Sequence, residues 1–186
     1  MTQPSAGAQP PTAVEADSST RERILAATAD VMSRNGMTKL SLSEVALQAG
    51  VSRPTLYRWF GSKKELLDAY VGWERTLWER AMADAIANLA PRDRLDAVLR
   101  VIATGQQSYP GLRMVDIEPA QVIKKLSEFI PLMRERLERL MPGPNGADAA
   151  ATVVRVAISH YLVRSDDADD FLAQLRHAAG VTRRPG

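Results

Sequence analysis

The feature of this sequence that most constrains its fold is a tight turn between two short segments, at Gly50 and Ser52. Gly50 stops the segment that begins at Ser41. Ser52 is a favourable N-cap for the next segment, and Pro54 lies in its first turn, where a missing N–H has no intrahelical partner to lose. Gly61 ends this second segment. The pattern predicts two short helices joined by a turn, which is a helix-turn-helix.

Three Ser-x-x-Glu patterns predict helix starts, because serine and glutamate side chains can satisfy the free N–H groups there. The first predicted helix carries its apolar residues on one face and ends at Gly36. The third pattern opens a long helix that no proline interrupts before about residue 89. Gly72 lies inside it, and we interpret this glycine as a site of close packing, with a hinge as the alternative. The patterns occur at Ser19–Glu22, Ser41–Glu44 and Ser62–Glu65.

The rest of the chain has helical periodicity and no period-two strand pattern, which predicts an all-α fold. A long helix joins the N-terminal three-helix domain to an all-helical body. Further helices are predicted at 92–107, 111–117, 119–129, 131–140, 147–164 and 167–179. The predicted domains are a disordered tail at 1–18, a helix-turn-helix domain at 19–65, a helical body at 66–180 and a C-terminal tail at 181–186.

Charge is distributed unevenly along the chain. The formal net charge is only +2, yet residues 20–64 carry eight basic and three acidic side chains. A basic helix-turn-helix beside a nearly neutral body indicates that one module meets a polyanion such as DNA. On charge alone, a solvated basic surface explains the positive charge of residues 20–64 equally well.

Composition and motifs exclude several other classes of protein. The chain has no cysteine and only two histidines, which excludes a disulfide scaffold and a thiolate zinc site. It has no phosphate-binding glycine loop, metalloprotease motif or nucleophile elbow, so we expect no enzyme, no catalytic residue, no cofactor and no metal. No stretch is long enough to span a membrane and no secretory signal begins the chain, so we expect a cytoplasmic protein.

The second helix of the helix-turn-helix carries side chains suited to DNA. Its N-terminal N–H groups attract a phosphate. Arg53 can pair with guanine or bind a phosphate, the Thr55 methyl group can meet a thymine methyl, and Tyr57 can reach a phosphate oxygen. Lys63 and Lys64 begin the next helix, where a phosphate would offset the unfavourable position of a cation at a helix N-terminus.

These residues form a long motif that resembles the DNA-binding signature of the TetR family of bacterial transcriptional regulators. The motif fixes fifteen positions at set spacings. The long connecting helix and all-helical body also look like this family, although no diagnostic motif follows residue 70. The matching residues are Gly36, Ser41, Leu42, Val45, Ala46, Ala49, Gly50, Val51, Ser52, Leu56, Tyr57, Trp59, Phe60, Lys63 and Leu66.

The resemblance implies base-edge contacts for Arg53, Pro54 and Thr55, and phosphate contacts for the aromatic and basic residues that follow. Two alternatives stay open, because Ser52 serves first as a helix cap and Trp59 can instead pack on the first helix. The predicted DNA-binding residues are Ser41, Ser43, Ser52, Arg53, Pro54, Thr55, Tyr57, Arg58, Trp59, Lys63 and Lys64.

The resemblance also implies that the body binds a small-molecule effector and forms a homodimer. In both cases the alternative is plain internal core. The residues predicted to line an effector pocket are Trp73, Leu77, Trp78, Met82, Met114, Phe129 and Met133, a set that suggests a lipophilic effector. The residues predicted for the dimer interface, on the last two long helices, are Val153, Val154, Ala157, Tyr161, Phe171 and Leu175.

The sequence therefore predicts a ligand-responsive homodimeric repressor that binds a palindromic operator in double-stranded DNA. A dimer is favoured because one short recognition helix reads few bases, and a two-fold axis doubles the site. A non-sequence-specific architectural DNA-binding protein is the alternative, and the nearly neutral body argues against it. A small helical enzyme lacks any motif in its favour.

Overall fold

The computed structural model describes residues 13–108, 114–163 and 168–181, which form helices and turns and contain no strand. The predicted all-α fold is confirmed, with a helix-turn-helix domain first and an all-helical body after it. The helices are α1 (Ala13–Asn35), α2 (Leu42–Gln48), α3 (Arg53–Trp59), α4 (Lys63–Ile86), α5 (Pro91–Ser108), α6 (Met114–Ile117), α7 (Pro119–Glu138), α8 (Gly146–Leu162) and α9 (Ala168–Ala178).

Glycines in the left-handed region end α1 and α2, as the sequence predicts. The backbone φ angle is +79° at Gly36 and +64° at Gly50, a region that residues with a Cβ rarely adopt. Ser52 then caps α3, because its Oγ accepts a hydrogen bond from Thr55 N at 3.1 Å. These three residues set the lengths of the short helices and the turn between α2 and α3.

Of the three predicted capping boxes, the one that begins α4 is confirmed. Ser62 Oγ accepts a hydrogen bond from Glu65 N at 3.2 Å, and the Glu65 carboxylate accepts one from Gly61 N at 2.8 Å. The box at Ser41 is wrong, because Ser41 occupies the N-cap position of α2 without a side-chain cap bond. Glu44 instead accepts a hydrogen bond from the last residue of α1.

The start of α1 corrects the predicted boundary of the N-terminal tail. The helix begins at Ala13 rather than at Ser19, so Ser19 lies inside α1 and the predicted tail at 1–18 is wrong for residues 13–18. This segment is rich in alanine and acidic residues, which favour the first turns of a helix. The rest of the predicted tail, residues 1–12, and the C-terminal residues 182–186 lie outside the described residues.

Helix α7 runs without a break through Pro131, so the two helices predicted at 119–129 and 131–140 are one. Proline removes one backbone N–H and leaves the carbonyl of Ser127 without its helical partner. Both residues are exposed, so water can satisfy this carbonyl, while Met133 and Leu137 are buried on the inner face. Burial of that face outweighs the local loss of one hydrogen bond.

Two hydrophobic cores stabilise the chain. The first surrounds Ile24 and Leu56 and holds α1–α3 against the start of α4. The second surrounds Leu99 and joins α5, α7, α8 and α9. Arg176 on α9 closes the second core by donating two hydrogen bonds to Asp96 on α5, at 2.6 and 3.1 Å. These bonds hold the pKa of the Asp96 carboxyl below its ordinary value.

The second core contains four residues that the sequence assigned to a dimer interface. Val153, Phe171 and Leu175 are completely buried and Val154 is nearly so, all within one chain. A side chain buried inside the monomer cannot contact a partner subunit, so the assignment is wrong for these four residues. Helical periodicity finds the apolar face of a helix, but it does not distinguish an internal neighbour from an external one.

Glycine permits close helix packing in the body at Gly105 and not at Gly72. A Cβ built at Gly72 meets no other atom within 4 Å, so the interpretation of this residue as a packing glycine is wrong. A Cβ at Gly105 on α5 would overlap the ring of Trp78 on α4. The close approach of α4 and α5 therefore depends on Gly105.

We expect Gly72→Ala to raise the free energy of unfolding by about 1 kcal/mol, because alanine restricts the unfolded chain and meets open space in the folded one. Urea denaturation of the full chain measures the change. Gly105→Ala is the matched control and should destabilise, since its methyl group must displace Trp78. A destabilised Gly72→Ala variant would contradict the open surroundings of residue 72.

Candidate functional site

The N-terminal part of α3 presents an exposed basic face beside a buried apolar one. Leu56 is completely buried and Phe60 nearly so, which fixes the inner side of α3 in the first core. The outer side is open, and 52% of the surface of Tyr57 is exposed. The exposed residues from the cap to the last turn of α3 are Ser52, Arg53, Pro54, Tyr57 and Arg58.

The serine and threonine residues that were predicted to contact DNA lie at the edge of this face. Ser41, Ser43 and Thr55 are half-buried. Ser52 Oγ and Thr55 Oγ1 lie 2.8 Å apart in a hydrogen bond, so this pair is engaged in capping α3. Each hydroxyl retains further hydrogen-bonding capacity, because a hydroxyl has one donor and two acceptor positions.

Trp59 does not belong to the exposed face. Its ring packs against the first core, and its indole N–H is buried without a hydrogen-bond partner among the described residues. A buried donor cannot reach a phosphate, so the predicted phosphate contact of Trp59 is wrong for this conformation. The packing alternative, which the sequence left open, describes its position.

The two lysines at the start of α4 have partners within the chain. Lys63 Nζ donates a hydrogen bond to Thr38 O at 2.7 Å, in the turn that follows α1. Lys64 Nζ pairs with Asp68 Oδ2 at 2.6 Å, and this hydrogen bond raises the pKa of Lys64. Lys64 is exposed, so its ion pair is weak and its charge stays available to a polyanion.

Glu118 joins the body to the helix-turn-helix domain. Its two carboxylate oxygens accept hydrogen bonds from Met37 N and Thr38 N, both at 2.8 Å. The side chain comes from the junction of α6 and α7, and the two N–H groups belong to the turn after Gly36. Because Lys63 bonds the carbonyl of Thr38, the same turn is held from the body and from the start of α4.

The electrostatics of this link favour an ionised carboxylate. Burial raises the pKa of Glu118, but hydrogen bonds from Thr38 and Met37 and the charge of Lys63 outweigh it, and the pKa lies below its ordinary value. The sequence analysis missed Glu118. No local pattern identifies it, because its partners precede it by 80 residues or more.

A cavity of about 400 Å³ lies between the two cores, a size typical of small-molecule sites. Met32 and Tyr70 line it from the first core, and Ile102 and Leu137 line it from the second. Of the residues predicted to line a pocket, those that do so are Trp78, Met114, Phe129 and Met133.

Three other residues predicted for the pocket lie elsewhere. Trp73 packs against the first core, with its ring centroid 6.2 Å from that of Tyr70. Leu77 is exposed, and Met82 is buried in the second core. Conversely, four residues predicted for the dimer interface line the cavity instead, and they are Val153, Val154, Ala157 and Tyr161.

The cavity wall also carries polar groups that the sequence analysis missed. Gln106 Nε2 on α5 donates a hydrogen bond to Ala157 O on α8 at 3.0 Å, while Gln106 Oε1 is buried and accepts none from the described residues. Tyr70 donates its hydroxyl hydrogen to Glu74 in the same wall. The only sequence signal for a role of Gln106 in the cavity is that a glutamine occurs on an otherwise apolar helix face.

Within the described ranges, no group of three or more acidic, histidine or cysteine side chains could hold a metal ion. In the same part of the chain, no helix is both long and apolar enough to cross a membrane.

Sequence comparisons identify relatives that match part of the chain. The family model for bacterial regulatory proteins, tetR family, matches residues 24–70. The HTH-type transcriptional regulator BetI of Rhizobium meliloti is 33% identical over 94 residues, and the HTH-type transcriptional repressor KstR of Mycobacterium tuberculosis is 33% identical over 99 residues. These matches cover 48% and 53% of this chain and 45% of each relative, so they span about half the length of either protein.

Solved structures share the fold of nearly the whole chain. A TetR-like transcriptional regulator from Rhodococcus sp. RHA1 has a TM-score of 0.64 and 22% identity, over 92% of this chain and 97% of its own. FadR from Bacillus subtilis, solved in complex with stearoyl-CoA, has a TM-score of 0.64 and 16% identity, over 87% of this chain and 99% of its own. At these identities the likeness describes the fold.

We expect Glu118→Gln to lower the free energy of unfolding by roughly 1–3 kcal/mol at neutral pH, because an amide cannot accept both charge-assisted hydrogen bonds. A carboxyl with a lowered folded pKa stabilises above its ordinary pKa and loses this effect as the pH falls through the lowered value. The difference in the free energy of unfolding between wild type and variant should therefore become smaller in acid.

Urea denaturation at neutral pH and below pH about 4 measures this difference. Asp116→Asn, a matched change at an exposed carboxylate just before the link, is the control and should alter stability little at either pH. Equal effects of the two substitutions at neutral pH would contradict the structural role of Glu118.

Proposed function

Because the chain belongs, through residues 24–70, to the tetR family of bacterial regulatory proteins, we propose that it is a sequence-specific, ligand-responsive repressor that binds a palindromic operator as a homodimer. The family and the fold support a transcriptional regulator. The operator, the dimer and the ligand response are the parts that this proposal adds. A regulator of this kind acts on the chromosome, so the proposal includes a cytoplasmic location.

The observation that carries the proposal is the exposed face of α3. A helix of seven residues presents Arg53 and Tyr57 outward while Leu56 anchors it in the core. The N-terminal end of α3 offers backbone N–H groups to a phosphate, and Arg53 beside it can form a bidentate pair with guanine. We assign α3 as the recognition helix of the major groove.

The dimer is proposed from the shortness of α3. One such helix reads few base pairs, whereas a two-fold dimer places a second copy one helical turn away, about 34–36 Å along the DNA. The inner face of α8 is buried in the monomer, so the proposed interface uses its outer face. The exposed residues there are Thr152, Arg155, Ser159 and Leu162.

The ligand response is proposed from the position of the cavity. Met114 on α6 and Val122 on α7 line it, and Glu118 lies between them in the chain. A ligand that moves α6 and α7 therefore moves the carboxylate that holds the turn after α1. To release DNA, the ligand must bind the non-DNA conformation more tightly than the DNA-binding one. FadR, with its stearoyl-CoA, is a neighbour of the same fold that binds a small molecule.

We expect the protein to bind a DNA fragment from upstream of its own gene, in the presence of random competitor DNA, with an affinity that falls steeply as salt is raised. Arg53→Ala and Tyr57→Ala should each weaken binding about tenfold or more, because each removes a contact at the recognition helix. Fluorescence anisotropy over a salt series measures the dissociation constants.

The control is Arg80→Ala, which makes the same charge change at an exposed position on α4, away from α3. It should leave the affinity nearly unchanged. Two outcomes would favour the architectural DNA-binding alternative over the sequence-specific regulator. One is that random DNA competes for the protein as well as the upstream fragment does, and the other is that all three variants lose the same affinity.

A further inference from the structure

The cavity between the two cores is mainly apolar, but its wall contains a buried acceptor that has no partner among the described residues. Side chains such as Trp78, Ile102 and Phe129 form most of its wall. Gln106 projects from α5 into the same wall, and its Oε1 accepts no hydrogen bond from the described residues. A buried acceptor without a partner destabilises a protein, so this atom indicates what a ligand supplies.

The orientation of the Gln106 amide is fixed by its other end. Nε2 donates a hydrogen bond to the backbone oxygen of Ala157 at 3.0 Å. A flipped amide would place Oε1 against that oxygen, and two acceptors repel, so the nitrogen faces Ala157. Protein atoms cover Oε1 in this conformation, so a ligand must displace these neighbours to reach it and must bring a donor to pair with it.

The charged residues of the cavity wall show no preference for a charged ligand. Glu74 and Glu128 are acidic, whereas Arg75 and Lys125 are basic, so the formal charges of this set cancel. Glu74 already accepts the hydroxyl hydrogen of Tyr70. An ion placed among the apolar side chains would lose its hydration without gaining a charged partner at Gln106, which is unfavourable.

We propose that the cavity binds an uncharged, mainly apolar molecule that carries a hydrogen-bond donor, a hydroxyl or an N–H, and that this donor pairs with Gln106 Oε1. This inference rests on the proposed ligand response and names the chemical class of the ligand. A molecule that lacks the donor leaves Oε1 buried and unpaired, so the site discriminates against it. A carboxylate is rejected more strongly, because its oxygens face another acceptor.

The test compares probes of matched size on the full-length protein without DNA. Decanol carries a hydroxyl donor, its isomer nonyl methyl ether has the same atoms and no donor, and decanoate is an anion of similar length. Isothermal titration calorimetry measures each dissociation constant. Decanol should bind about tenfold more tightly than nonyl methyl ether, the effect of one neutral hydrogen bond at a buried acceptor, and decanoate should bind most weakly.

The variant Gln106→Met removes the acceptor and keeps the volume of the side chain. It should abolish the preference for decanol over the ether, while Gln121→Met, at an exposed position on α7, should retain it. If Gln106→Met does not fold, the comparison of isomers on the wild-type protein still decides the question. No preference for decanol in the wild type, or the same preference in folded Gln106→Met, would overturn the assignment.

Failure of this inference is distinguishable from failure of the proposed function. Binding of the probes is measured without DNA, and binding of DNA is measured without probes. A protein that binds its operator and shows no donor preference remains a regulator with a different ligand. A protein that shows the donor preference and binds no DNA specifically has the ligand site without the regulatory role.

Discussion

The carboxylate of Glu118 joins the helix-turn-helix domain to the helices that line the cavity. Its oxygens bond two consecutive N–H groups in the turn after α1, and Lys63 bonds a carbonyl of the same turn. That turn sets the position of α2, and α2 in turn supports α3. The α6–α7 junction is thus held to the helix-turn-helix domain by this ionised group and by the apolar contacts of Met114 and Val122 with the first core. Hydrogen bonds to a charged acceptor are the stronger kind, which suits a link that we propose transmits a displacement.

The two sides of the cavity differ in how firmly their helices are held. In the second core, α5 and α9 are tied by the paired hydrogen bonds between Arg176 and Asp96, and Gly105 lets α5 approach Trp78 closely. This side forms a tightly packed floor. The opposite wall includes α6 and the start of α7, with Met114 and Val122 in the first core, whereas Met133 and Leu137 further along α7 belong to the floor. A ligand that enlarges the cavity is therefore expected to displace α6 and the start of α7 rather than the floor.

The sequence predicted those features whose causes are local. Gly36, Gly50, Ser52 and Ser62 act through backbone conformation or through hydrogen bonds within a few residues, so their effects follow from the chain itself. Gln106 could not be predicted in this way, because its partner Ala157 is 51 residues away and belongs to another helix. The same limit applies to Glu118, whose partners Met37 and Thr38 precede it by 80 residues or more.

The apolar faces of α8 and α9 illustrate a second limit. Their periodicity correctly indicated burial, but Val153 and Phe171 are buried by their own chain. Pro131 likewise predicted a break between two helices, but its exposed position let α7 continue. In each case the sequence indicates a local preference, for burial of a helix face or for a helix break. The neighbouring residues in the folded chain decide what covers that face and whether the helix breaks.

Helix α8 relates the proposed ligand site to the proposed dimer. Its inner face, with Val154 and Ala157, lines the cavity, and its outer face, with Thr152 and Ser159, is exposed. If a partner subunit packs on the outer face, one helix separates the ligand from the two-fold axis. The distance between two copies of α3 then depends on the cavity through two routes, by α6 and α7 within each subunit and by α8 between subunits. Because the proposed palindromic operator fixes that distance, we expect a displacement along either route to reduce affinity for DNA.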